Sequence, residues 1–155
     1  MKKHVYKICI SILVLVFGLG IIYLITDTFR AHDIGSITLR IVDEDDVVVF
    51  EGDIDYQKND TFFDILNRTF EITCANAFYQ KDDSCQFSFY IGNAEQKVIL
   101  GIKGNDFEID SDWRQTFIAL YVFEDGTYVL AEKGFNQLTF INQGKYMIKV
   151  DRVQS

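Results

Sequence analysis

Four acidic residues at alternate positions, Asp106, Glu108, Asp110 and Asp112, form the sequence's most regular set of oxygen donors. Calcium takes about six to eight oxygens, and the helix-loop-helix calcium loop requires glycine at its sixth position and glutamate at its twelfth. Counted from Asp106, those positions hold Ser111 and Phe117. A spacing of two places all four carboxylates on one face of an extended segment, with Phe107 and Ile109 on the other. The expectation is therefore a solvated strand face, and no metal site is assigned. Asp43 to Asp46 reads the same way, as a charged hairpin tip. Zinc has no ligand set beyond residue 33, where the sequence holds no histidine and only two cysteines.

The two histidines, His4 and His32, both precede the folded region. The commonest general base, and the usual partner of a serine or cysteine nucleophile, is thus missing from it. No catalytic residue is assigned and no cofactor is expected. The sequence shows no glycine-rich phosphate loop and no Cys-x-x-Cys redox motif. Trp113, Tyr121 and Tyr128 are candidates for an aromatic contact surface, with core packing or a strand edge as the structural alternative. The sequons Asn59-Asp60-Thr61 and Asn67-Arg68-Thr69 both fall on a predicted helix and read as chance matches.

Three cysteines occur. Cys9 lies in an apolar run and reads as a small hydrophobe or a lipidation site. Cys74 and Cys85 are expected to pair in an oxidising compartment, closing the polar segment between them; two unbonded buried thiols are the alternative.

These residues must be positioned by one domain. The chain of 155 residues has 48% hydrophobic content, 22 Phe and Tyr residues and no proline, a composition suited to half-buried strands. Its formal charge of −8 divides into +2 for residues 1–33 and −10 for the rest. Such an acidic surface repels phosphate backbones, so nucleic acid is excluded as a partner.

Ile8 to Ile25 is an uncharged run that would span ~27 Å as a helix, enough to cross a bilayer core. Lys2, Lys3 and Lys7 precede it and only Arg30 follows closely, which places the N-terminus in the cytoplasm and the remainder outside. The reading is a basic segment at 1–7, a transmembrane signal anchor at 8–25, a linker at 26–35 and an extracytoplasmic domain at 36–153. A cleaved signal peptide is the competing reading, opposed by the scarcity of small residues after Ile25.

Ser36 to Val42 alternates apolar and polar residues as a strand, and Val47 to Ile54 returns as its hairpin partner. Asn59 and Asp60 are expected to cap a helix over Thr61 to Phe70. Gln86 to Ile91 and Gln96 to Ile102 read as extended stretches around Gly92 and Asn93. Phe117 to Phe123, apolar at every position, reads as a central strand. Glu124-Asp125-Gly126 is a tight-turn signal, with Thr127 to Leu130 pairing back, and Leu138 to Ile141 with Tyr146 to Val153 is expected to form a closing hairpin. The class is α+β, with a mixed sheet over one short helix, an order that resembles the β-grasp arrangement.

The stretch NDTFFDIL (Asn59–Leu66) and the run from Leu100 to Val150 resemble an extracytoplasmic domain of unknown function shared by many low-GC Gram-positive surface proteins. That domain is related to the C-terminal β-domain of transcobalamin-type cobalamin carriers. The resemblance covers roughly residues 36–152. Glu124-Asp125-Gly126 stands where many members have Asn-Gly, Gln143-Gly144 where they have Gly-Asp, and the tryptophan often found before the hairpin is displaced to Trp113. The helical half that completes a cobalamin cleft is missing, so no ligand residue carries over.

The resulting expectation is a bacterial, membrane-anchored binding module for an unidentified ligand, peptide or surface protein, non-catalytic. One alternative is an accessory subunit of a membrane complex, such as a transporter for a cofactor-like nutrient, with the apolar helix as a docking element, although Gly18 and Gly20 are two apart and not the four of the small-residue packing motif. The other is a carboxylate-dependent hydrolase.

Overall fold

The computed structural model describes residues 34–91 and 94–153, so the predicted anchor and all but the end of the linker lie outside the described residues. Among the described residues no helix is long and apolar enough to cross a membrane. The class is α+β, mostly sheet with one short helix.

Strands β1 (Gly35–Val42) and β2 (Val48–Tyr56) form the expected hairpin. Asp43 makes its turn: one carboxylate oxygen accepts from the backbone N–H groups of Asp45 and Val47, each at 2.9 Å. Helix α1 (Phe62–Thr69) follows. Its N-cap is Thr61, one residue beyond the expected pair, because Thr61 and Asp64 satisfy two orphan backbone donors reciprocally. Asn59 turns the chain with φ 68°, and Asp60 instead accepts from Arg68 at 2.8 Å.

The chain then builds β3 (Glu71–Ala75), β4 (Lys81–Asp82), β5 (Phe89–Ile91), β6 (Ala94–Gln96), β7 (Ile99–Lys103) and β8 (Glu108–Asp110). The predicted continuous stretch from Gln96 to Ile102 divides in two. β6 pairs with β5, whereas β7 pairs with β3 on one side and β8 on the other. A four-stranded sheet β4-β3-β7-β8 and a separate two-stranded hairpin result.

β9 (Thr116–Glu124), β10 (Thr127–Leu130) and β11 (Lys145–Arg152) complete the chain. Asp125 and Gly126 join β9 to β10, both with positive φ, as a two-residue turn that matches the twist of paired strands. β11 lies parallel to β1 and antiparallel to β9, giving the five-stranded order β10-β9-β11-β1-β2. The expected closing hairpin does not form. Both edges of β11 are occupied, and residues 138–141 instead deliver Phe140 into the core, stacked on Tyr56 at 4.8 Å. The central strand is accordingly β11, and β9 is second from the edge. Ile118 and Leu120 of β9 face the core, while Tyr121 and Phe123 remain partly exposed on the other side.

One hydrophobic cluster unites the inner face of the five-stranded sheet, the helix and the four-stranded sheet. Phe62 is its aromatic hub, fully buried and with ring centroids 5.3 Å from Tyr146, 5.7 Å from Phe140 and 6.2 Å from Phe135.

Candidate functional site

Cys74 and Cys85 are brought together as a disulfide, their Cα atoms 5.1 Å apart and both side chains buried. Closing a loop of this length contributes about 3 kcal/mol in the chain-entropy account. The closed segment is further folded by Asn76, whose side-chain oxygen accepts from the N–H groups of Phe78 at 2.8 Å and Gln80 at 3.1 Å.

The acidic ladder keeps its period only within β8, where Glu108 and Asp110 are exposed around buried Ile109. Asp110 pairs with Lys81 at 2.7 Å. Asp112 leaves the strand and accepts from the N–H groups of Gln115, Arg114 and Thr116 at 2.8, 2.9 and 3.1 Å. Those donors, Gln115 foremost, lower its carboxyl to about 2. Among the described residues no three acidic, cysteine or histidine side chains group as metal ligands.

The three aromatics singled out by sequence do not share one surface. Tyr121 and Tyr128 lie on the outer face of the five-stranded sheet. The Tyr121 hydroxyl donates to Asp151 and is pushed up to about 12, by burial first and by that bond second. Tyr128 packs edge-on to Phe123 at 5.1 Å, with the Arg40 guanidinium 5.9 Å from its ring centroid. Trp113 stands elsewhere, on the turn between β8 and β9, with φ 58°. That turn is braced from below by buried Ser111, whose hydroxyl donates to the Thr116 carbonyl at 2.9 Å and accepts from the Trp113 N–H at 3.2 Å.

A different aromatic cluster escaped sequence reasoning. Phe78 and Tyr79 project from the disulfide loop, and Phe87 and Phe89 from the approach to β5 and the strand itself; Tyr90, the next residue of β5, points to the opposite face of that hairpin. Tyr79 stacks on Phe89 at 4.8 Å, and Phe87 meets Phe89 edge-on at 4.9 Å. Phe78 is 80% exposed, Tyr90 78% and Tyr79 53%. Lys97 ties this ridge to the body, donating to the Cys85 carbonyl at 2.5 Å and the Ser88 hydroxyl at 3.3 Å. The available signal was aromatic density, Phe-Tyr and Phe-Ser-Phe-Tyr within a segment otherwise polar enough to pass for a plain loop.

A second feature is a concave pocket of about 270 Å³ between the start of β7, β9, the Trp113 turn and residues 132–137. Ile99, Ile118 and Phe135 supply buried apolar lining; Gln96, Glu132 and Gln137 supply polar groups.

No family model matches the chain, and a search of curated proteins finds no match.

Proposed function

We infer that the protein is a membrane-anchored, extracytoplasmic binding module, non-catalytic, whose contact surface is the aromatic ridge braced by the Cys74–Cys85 disulfide. The observation that carries this reading is the exposure of Phe78 and Tyr79 on the disulfide-closed loop, with Tyr79 stacked on Phe89 of the neighbouring hairpin. Aromatic side chains supply large contact area with few rotamers to freeze, and such residues dominate binding energy in protein interfaces. Holding them out in water is unfavourable for an isolated domain, so a partner that covers them supplies the compensating burial.

A β-grasp arrangement fits the frame behind the ridge. The hairpin, the helix and the parallel pairing of the last strand with the first, in the order β2-β1-β11-β9-β10, support it. The segment β3 to β8 is then an insertion between the helix and β9, and the ridge belongs to that insertion. Support for the anchor comes from the uncharged run Ile8 to Ile25 and its flanking lysines, and support for an oxidising location from the disulfide. The lack of any histidine beyond residue 33 favours binding over catalysis.

The test uses the full chain in its native cells with a photo-crosslinking residue placed at Phe78, Phe87 or exposed Asp55 of β2. Discrete adducts of one partner from positions 78 and 87, and none from 55, are expected. No adduct from the ridge, or the same products from all three positions, would refute it.

A further inference from the structure

We propose that the pocket beneath Trp113 is a binding site for a saccharide ring. It uses none of the ridge residues and stands independently of the function inferred above.

Gln96 carries the argument. It is a polar side chain only 8% exposed, and it lines the pocket. Its carboxamide is not among the enclosed polar atoms left without a partner, so it keeps a path to solvent, and a ligand in the pocket would take the place of that solvent. The carboxamide lies against Gly134: a Cβ built there would stand 2.2 Å from Oε1 and 2.8 Å from Cδ of Gln96. Glycine at 134 therefore keeps the space in which Gln96 sits.

The chemistry of the lining selects the ligand. Gln96 and the exposed Gln137 both donate and accept, which suits hydroxyl groups that also do both. Glu132 adds an acceptor. The one cation on the lining, Lys97, donates to the Cys85 carbonyl and the Ser88 hydroxyl, Glu132 on the same lining opposes its charge, and the region from residue 34 onward carries a formal −10, so the site does not favour an anion. The remaining walls are apolar: Ile99, Ile118 and Phe135 below, and the indole of Trp113, 38% exposed, at the rim. At about 270 Å³ the pocket takes one ring and not a drug-sized cofactor. A molecule with a flat C–H face for the indole and hydroxyls at its edge for two carboxamides and a carboxylate is a sugar.

Trp113 is the only tryptophan of the chain and reports on the site directly. The full chain, purified in a polyoxyethylene detergent without a sugar head group, is titrated with glucose, N-acetylglucosamine and choline. Binding is followed by Trp113 emission and, independently, by saturation transfer to the probe's protons. A saturable response to at least one sugar and none to choline is expected. Gln96→Leu should weaken that affinity by about tenfold or more, the loss of one hydrogen bond in a desolvated site. Gln137→Ala, on the exposed rim where folding is not at stake, should weaken it severalfold. The proposal is overturned if neither sugar saturates by either readout, if choline alone does, or if sugar affinity is unchanged in Gln137→Ala and in a folded Gln96→Leu.

Discussion

Asp112 is conspicuous for what its carboxylate does. Three backbone N–H groups converge on one oxygen, and an anion with three donors resists protonation, so its pKa falls from an ordinary 3.8 to about 2. A carboxyl lowered on folding stabilises the native state above its unfolded value. That contribution is lost as pH falls from about 3.8 through about 2. Replacing Asp112 with alanine should lower the urea midpoint at neutral pH. The gap between the two proteins should then narrow between about pH 4 and pH 2, as followed by chemical denaturation across that range. A gap independent of pH would mean that the side chain acts through something other than its charge.

Helix α1 shows how few residues hold an element of this size. Eight residues are too short to be stable as an isolated helix in water, so its stability comes from the capping box at Thr61 and from burial of one face. That face is Phe62, Phe63, Ile65 and Leu66, all buried. Phe62 touches the rings of Phe135, Phe140 and Tyr146, which come from the irregular chain after β10 and from β11. Phe62→Ala should therefore cost about 3–5 kcal/mol, the range for emptying an aromatic core position. Chemical denaturation measures it, and a loss near 1 kcal/mol would show that the surrounding rings collapse into the space.

For the molecule as a whole, the two larger sheets share one core. Ile72, Ile99 and Ile102 of the four-stranded sheet belong to the same hydrophobic cluster as Ile37, Leu39 and Ile148 of the five-stranded sheet. A continuous core predicts one cooperative opening. Amides in β7 and in β11 should exchange hydrogen with the same, largest free energy, as measured by native-state exchange in rising denaturant. A β7 that opens at clearly lower free energy would separate the insertion from the frame.

Local patterning made several elements readable. The alternation of Ser36 to Val42, the acidic hairpin tip, the positive-φ turn at Asp125-Gly126 and the short amphipathic helix all depend on neighbours within a few residues, and residue order alone constrains such interactions. The cysteine pairing was also legible, because only two thiols lie beyond residue 9. Sheet membership was not. Tyr146 to Val153 looks like half of a hairpin, yet β11 runs beside β1, a partner about a hundred residues away, and only burial of both faces in competition with every other strand decides that. The same holds for β7, which leaves its sequence neighbour β6 for β3 and β8. Gln96 and Trp113 line one pocket for a similar reason: Gln96 reads in sequence as an ordinary strand residue, Trp113 groups in sequence with Tyr121 and Tyr128 on the other side of the sheet, and the closeness of Gly134 to Gln96 is a product of the folded chain. Short-range periodicity is written in the residues, whereas the choice among distant partners is made by the free energy of the assembled core.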